Sequence, residues 1–435
     1  MSLLAITGGT VVDQLGRRTV DVAVDETTGQ VVGTPDGSAT DWADRVLDAA
    51  GCHVVPGFVD LHVHLRQPGN EAAETIESGS RAAARGGFTA VVAMPNTTPC
   101  MDSAAVVAEV LAFGKSALCE IKPSAAITIG RDGESLAPMG ELADLGVRMF
   151  TDDGTGLQDA MLMRRALEYA GSLVVDDGQP IVLSQHCEVT ALSQGGVMHE
   201  GAVSSRLGLG GQPAEAEELM VARDIALARL TGVRVHLQHL STAGSVALVR
   251  AAKGEGHPVT AEACPHHFTL TDEACSSYDP VFKVHPPLRT AADVAAIKAG
   301  LADGTIDAIA TDHAPHTPDS KELPFDQAPP GMLGLETAYA IANTELDLGT
   351  EALVDLLSTT PARIAGIAER HGGPVEPGRP ANLAVVDPEA VWTVDRSDQA
   401  SNSGNTPFHG REVRGRIRHT IFNGEPVVID GQVQR

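Results

Sequence analysis

The sequence predicts an α/β protein: a (β/α)8 TIM-like barrel with a small β-sandwich domain built from both chain ends. Three observations carry that expectation. Eight nearly continuous apolar runs alternate with alanine-rich helical patterns through the middle of the chain. Short β-like segments occupy both ends. No Gly-x-Gly-x-x-Gly turn follows any early strand, which disfavours the competing doubly wound open sheet.

Taken in order, residues 1 to about 55 read as short strands at Leu3–Ile6, Thr10–Val12, Asp21–Val24, Val31–Val32 and Val46–Asp48, punctuated by Gly8-Gly9, Thr27-Thr28-Gly29 and Pro35-Asp36-Gly37. The middle gives strand candidates at Val55–His64, Ala90–Pro95, Ile121–Thr128, Val147–Thr151, Pro180–His186, Val233–His239, Pro258–Ala263 and Ile306–Thr311. Helical patterns at Glu74–Arg85, Ala104–Phe113, Ala160–Ala170, Ala214–Arg229, Ala243–Gly254 and Ala291–Ala302 lie between them. Beyond residue 371 the chain is strand-like again at Ala381–Asp387, Val391–Val394, Val413–Arg418 and Thr420–Asp430. The expected division is therefore a β domain from residues 1–55 plus 371–435, closed from both termini, around a barrel of residues 56–370.

Composition limits the function classes. A net charge of −26 argues against nucleic-acid or anionic-membrane partners, which would need basic patches. The 6 cysteines form no C-x-x-C pair and read as free thiols of a reducing compartment. The start lacks a basic segment followed by a long apolar one, and no apolar run approaches the roughly 20 residues of a membrane span. A soluble, cytoplasmic protein is expected.

The polar residues cluster at strand ends. An apolar run closes on His62-Val63-His64-Leu65-Arg66-Gln67-Pro68-Gly69. In a strand, residues i and i+2 share a face, so His62 and His64 present their imidazoles side by side. Asp152 and Asp153 end the fourth predicted barrel strand, His186 the fifth, His239 the sixth and Asp312 the eighth. Barrel enzymes build their sites on that carboxyl-terminal face. Imidazoles and carboxylates converging there suit two divalent metals bridged by a carboxylate. Spacing does not choose between Asp152 and Asp153. His236 faces the other side of its strand and reads as a packing or surface residue. His53, His199, His257, His371, His409 and His419 lack any partner pattern, and His266-His267 could line the site without ligating.

As a set, His62-Val63-His64-Leu65-Arg66-Gln67-Pro68-Gly69, Met94-Pro95-Asn96-Thr97, Phe150-Thr151-Asp152-Asp153-Gly154, Pro286-Pro287-Leu288-Arg289 and Ala310-Thr311-Asp312-His313-Ala314-Pro315-His316 resemble bacterial dihydroorotase of the amidohydrolase superfamily. The likeness covers nearly the whole chain. It implies zinc-dependent, reversible interconversion of N-carbamoyl-L-aspartate and dihydroorotate in pyrimidine biosynthesis. It also implies two zinc ions per chain, one held by His62, His64 and Asp312 and the other by His186 and His239, with Asp153 as the bridge. Asp312 would be the catalytic base and acid. His64, Arg66, Asn96, His285, His316, Pro330 and Gly331 match substrate-contacting positions, and about Thr317–Pro330 matches a flexible loop over the site. A homodimer able to associate with aspartate carbamoyltransferase is implied as well. The chain departs from the family pattern at His285, where asparagine is usual, at Gln67, where glutamate is usual, and at Cys264, where threonine is common.

Two rival readings remain. Another cyclic amidase (a hydantoinase, dihydropyrimidinase or allantoinase) would typically bridge its metals with a lysine near the end of strand 4, where this chain has Thr151-Asp152-Asp153. A non-catalytic scaffold for aspartate carbamoyltransferase would tend to lose ligands, and this chain keeps those that match.

Overall fold

The computed structural model describes residues 2–173 and 178–435. The first strands are β1 (Leu3–Thr7), β2 (Thr10–Asp13), β3 (Gly16–Arg18), β4 (Val22–Asp25), β5 (Gln30–Val32), β6 (Arg45–Asp48) and β7 (His53–Pro56). The middle of the chain adds β8 (Phe58–Val63), β9 (Phe88–Ala93), β10 (Glu120–Pro123), β11 (Met149–Phe150) and β12 (Val182–Gln185). After the short pair β13 (Met198–His199) and β14 (Gly211–Gln212) come β15 (Val235–Leu237), β16 (Val259–Ala263) and β17 (Ala308–Ile309). The far end contributes β18 (Leu383–Thr393), β19 (Glu412–Phe422), β20 (Glu425–Ile429) and β21 (Gln432–Val433).

Besides the short parallel pair β13-β14, two all-parallel sheets occupy the middle, in the orders β10-β9-β8 and β11-β12-β15-β16-β17. Single parallel bridges join them at both sides: Ala125, beyond β10, to Phe150 of β11, and Val63 of β8 to His313, beyond β17. Helices Ile76–Arg85, Ala104–Gly114, Ala160–Ser172, Glu215–Thr231, Ala243–Gly254 and Ala291–Ala302 connect the strands, close to the expected ranges. Caps explain their starts. The side chains of Thr75, Asp159, Thr242 and Thr290 each accept a backbone N–H three residues on, satisfying donors that the first turn leaves free. The strands between them are buried on both faces, which is why they read as unbroken apolar runs rather than alternating ones.

Two further sheets lie at the chain ends: β5-β4-β1-β6, from the N-terminal segment alone, and β21-β20-β19-β18-β7-β2-β3, in which strands of both ends pair. A separate apolar cluster lies between them, with Leu4, Ile6, Val24 and Leu47 meeting Val54, Leu383, Val385 and Ile421. The other face of the larger sheet turns Val55, Val386, Val413 and Ile417 into the main core.

The structure corrects the predicted strands in three places. The run Val55–His64 is two strands, because β7 pairs with β18 and β2 while β8 pairs with β9. The break falls at Gly57, where a Cβ would lie 2.3 Å from the Thr89 side chain, so only glycine lets the chain cross there without displacing it. Ala381–Asp387 and Val391–Val394 are one strand with a register shift between Asp387 and Val391. Thr420–Asp430 is instead a hairpin of β19 and β20. Asn423 and Gly424, with φ of 48° and 82°, form the tight turn that an Asn-Gly pair favours.

All 6 cysteines are unpaired. Among the described residues, no helix is long and apolar enough to cross a membrane.

Candidate active site

Seven of the residues singled out by sequence line one cavity of about 190 Å³: His64, Arg66, Asn96, Asp153, His186, His239 and Asp312. His285, His316, Pro330 and Gly331 complete its wall. His62 lies beneath it, fully buried.

The local fold aims these side chains. Asp60, fully buried, accepts the backbone N–H of His62 at 3.0 Å and of Thr311 at 3.1 Å, tying the end of β8 to the chain that follows β17. Burial pushes its carboxyl up to about 7, against the pull of those hydrogen bonds. Arg66, His239 and Asp312 have φ of 60°, 33° and 46°. Left-handed backbone at non-glycine residues is costly and concentrates where the surrounding structure holds a side chain in a particular place.

Asp153 is the centre of the cluster. Its Oδ1 lies 3.3 Å from His62 Nε2, 3.7 Å from His186 Nδ1 and 3.8 Å from His239 Nε2, and its Oδ2 lies 3.6 Å from His64 Nε2. Asp312 Oδ1 lies 3.0 Å from His64 Nε2 and 3.5 Å from His62 Nε2. Asp152 turns the other way, and its Oδ1 accepts the backbone N–H groups of Ile127 and Thr128 and shapes the loop. The choice that spacing left open is made by direction, one carboxylate facing the imidazoles and the other the backbone.

The outer partners determine which imidazole nitrogens carry protons. The Asn96 amide N–H donates to Asp153 Oδ2 at 2.9 Å, because a carboxylate only accepts; its carbonyl oxygen must then accept from His64 Nδ1, 2.8 Å away. His62 Nδ1 donates to Glu262 Oε1 at 2.9 Å, and His186 Nε2 donates to Glu188 Oε2 at 3.2 Å. The neutral tautomers so defined turn the lone pairs of His62 Nε2, His64 Nε2 and His186 Nδ1 inward. There they face carboxylate oxygens and, for His186, the His239 nitrogen 2.9 Å away. Lone pairs converging in this way are the donor arrangement that a cation would bind. Buried His62 Nε2 has no hydrogen-bond partner among the described residues. The carboxylates make this point one that favours positive charge: burial pushes the His62 imidazole down, but Asp153, Asp312 and Glu262 outweigh it and hold it well above its ordinary value. Asp153 is the converse, raised by burial but carried well below the carboxylate range by His62 and the other imidazoles. Two groups, His62-His64-Asp153 and Asp153-His186-His239, bring their ligand atoms within 4.8 Å of one another. Nitrogen and oxygen donors, with His62, His64 and His186 each backed by a hydrogen-bonded partner, fit a divalent ion such as zinc.

The cavity wall holds a cation of its own. Arg66 is half-buried among polar groups, its Nε donating to Pro315 O at 3.1 Å, and among the described residues it has no carboxylate within ion-pair distance. His316 Nε2 donates to Pro330 O at 2.8 Å, and its backbone N–H to Asn405 Oδ1. Gly331, with φ of 141°, passes so close that a Cβ would stand 2.7 Å from His316 Nε2. Burial first, then Arg66 and Lys321, push His316 down to about 3 from an ordinary 6.5. Its protonation is thus disfavoured in the fold, so the stability it contributes is complete above pH 6.5 and is lost as pH falls toward about 3. In a histidine NMR titration of the ligand-free protein, His316 should still be neutral at pH 5; a midpoint above 6 would contradict this environment.

The remaining residues take other places. His285 lines the cavity with Nε2 on Glu188. Loop 317–330 packs down, with Lys321 Nζ donating to Pro280 O and Pro329 O, and Lys283 Nζ to Asp326 O. Gln67 accepts the Ile76 N–H at the start of a helix, and Cys264 is buried beside His266 and His267, a group separate from the central one. His236 is a packing residue, fully buried, its Nε2 donating to Glu262 Oε2 at 3.0 Å. His53, His199, His257, His371, His409 and His419 lie outside the cluster.

Three supporting residues escaped the sequence patterns. Glu262 joins His62 to His236, and a lone carboxylate inside an apolar strand was its signal. Glu188 follows His186 by two residues. Asn405, from the far end of the chain, donates to Ala314 O and Gly331 O behind the substrate wall, and nothing local announces it.

A family profile described as "Dihydro-orotase-like" matches residues 51–245. The chain is 51% identical to the dihydroorotase of Pelotomaculum thermopropionicum, over 98% of this chain and 99% of that one. It is 47% identical to the dihydroorotase of Streptomyces coelicolor over 100% of both, and 46% identical to that of Mycobacterium tuberculosis over 95% and 96%. Among solved structures it shares its fold with the L-hydantoinase (dihydropyrimidinase) of Arthrobacter aurescens, at a TM-score of 0.87, 24% identity and coverage of 100% and 98%. The dihydropyrimidinase of Brevibacillus agri matches at a TM-score of 0.84, 23% identity and coverage of 99% and 96%.

Proposed function

Because the chain belongs to the dihydroorotase family, we propose a role for each side chain of its buried cluster in that family's reaction. The chain is an enzyme, a hydrolase of cyclic amides that interconverts N-carbamoyl-L-aspartate and dihydroorotate in pyrimidine biosynthesis. We read its eight parallel middle strands as one closed (β/α)8 barrel, residues 56–370, and residues 1–55 plus 371–435 as a small β-sandwich domain. The support is the pair of bridges that join the two parallel sheets and the apolar cluster between the terminal ones.

In this reading His62, His64 and Asp312 would hold one zinc ion and His186 and His239 a second, with Asp153 facing both sets of ligands. Zinc in such a site supplies Lewis acidity toward the amide carbonyl and lowers the pKa of water from about 15.7 toward about 7. Arg66 holds the substrate carboxylate, its planar fork matching two oxygens. His64, Asn96, His285, His316 and the Pro330-Gly331 backbone orient the ring. Asp312 accepts the proton released as water adds to the amide carbonyl and returns it to the leaving ring nitrogen, as base and then acid. Burial raises the Asp312 carboxyl, but the His62 and His64 imidazoles beside it outweigh burial and carry it below the carboxylate range, so the group is ionised and ready to accept. The packed loop 317–330 would keep bulk water from the amide. A homodimer, association with aspartate carbamoyltransferase and a cytoplasmic location belong to the same reading and rest on family membership.

The observation that carries the substrate assignment is Arg66, a half-buried guanidinium lining the cavity beside the cluster with no carboxylate at ion-pair distance among the described residues. The test is turnover by zinc-loaded protein of dihydroorotate, hydantoin, dihydrouracil and allantoin. Opening of dihydroorotate well ahead of the uncharged rings is expected. Preference for an uncharged ring would move the enzyme to another cyclic-amide substrate, and no turnover of any ring with zinc bound would favour the scaffold reading.

A further inference from the structure

We infer that Glu188 is a positioning residue that couples a metal-site imidazole to the pocket imidazole His285, so that one carboxylate governs both metal retention and substrate affinity. The inference rests on the proposed metal site and substrate pocket. Glu188 follows β12 in a tight turn, its N–H donating to His186 O at 3.0 Å while the Gln158 side chain donates to its carbonyl at 2.9 Å. Its backbone is therefore held independently of its side chain.

Both carboxylate oxygens are occupied. Oε1 accepts from Ser193 Oγ, and Oε2 accepts from His186 Nε2 and from His285 Nε2. The first of these histidine bonds defines the His186 tautomer and points Nδ1 at Asp153 and His239, the arrangement by which a carboxylate orients a metal-binding imidazole. The second anchors a pocket-wall side chain that would otherwise swing about two single bonds. The two rings pack edge to face, 5.1 Å apart at 74°, so a shift in either is felt by the other. Among the described residues, no other carboxylate is hydrogen-bonded to His285.

The experiment compares wild type, Glu188→Gln, His285→Asn and the double variant, reading zinc retained against a competing chelator as well as KM and kcat. Glu188→Gln keeps the shape and removes the charge. It should weaken zinc binding about 10–100-fold, the usual effect of removing such an outer partner, and raise KM. His285→Asn should raise KM and leave zinc binding unchanged. In the double variant KM should be no higher than in the worse single variant, because Glu188 acts on substrate through His285. Unchanged zinc retention in Glu188→Gln, or KM effects that simply multiply, would overturn the inference. So would a third zinc equivalent that vanishes in His285→Asn, since the trio would then hold a cation instead. A wild type that binds no zinc would overturn the reading beneath it. A wild type that opens a different cyclic amide would change only the substrate used for KM.

Discussion

Replacing Asp312 by asparagine is expected to lower dihydroorotate turnover by about 10³-fold, within the range of about 10²–10⁴ that a positioned general base and acid contributes. The variant keeps the size and one ligating oxygen of the side chain but cannot take up a proton. The surroundings of Asp312 suit it to proton transfer: its backbone is left-handed, at φ of 46°, and its Oδ1 lies 3.0 Å from His64 Nε2. With His62, His64, Asp153, His186 and His239 all intact, most of the zinc should remain. The measurement is kcat on zinc-loaded protein beside zinc content by atomic absorption. Turnover close to wild type would remove Asp312 from the proton path. Loss of activity together with most of the zinc would make it a structural ligand only.

Arg66→Met should reduce kcat/KM for dihydroorotate by about 10²–10³-fold, because a substrate carboxylate brought into the pocket would lose its partner, a loss of about 3–4 kcal/mol. Zinc content should not change, since Arg66 contacts none of the central nitrogens or carboxylates directly. Arg66→Lys separates charge from shape: it restores a cation but not the bidentate fork, and should recover only part of the loss. Any slow turnover of an uncharged ring such as dihydrouracil should be nearly unaffected by either change. Equal losses on charged and uncharged rings would refute the carboxylate clamp and assign Arg66 to holding the Pro315 backbone instead.

Much of the site was legible because metal chemistry demands particular residue types at strand ends. His62 and His64 announce themselves by a two-residue period at the close of an apolar run, and His186, His239 and Asp312 by their position after further runs. Asp153 could not be separated from Asp152 in this way. Adjacent residues at a strand terminus can point to either side once the strand ends, and here it is the loop built on Thr128 that claims Asp152. Strand breaks were harder still. The run from His53 to Val63 is mostly apolar and reads as one strand despite Pro56-Gly57; the close approach of Thr89 to Gly57 marks where it divides between two sheets.

The chain by itself determined the alternation of apolar runs and helices, the two β-rich ends, and that His62, His64, His186, His239 and Asp312 lie at strand ends with one of Asp152 and Asp153, since hydrophobic period and residue chemistry are local properties. Tertiary structure decided the protonation geometry and the second ring of contacts. Glu262 reaches His62 across 200 residues of sequence, and Asn405 reaches Ala314 and Gly331 across 91 and 74. Such hydrogen bonds depend on where distant segments cross in space, and single-residue chemistry carries no trace of that until the strands have paired.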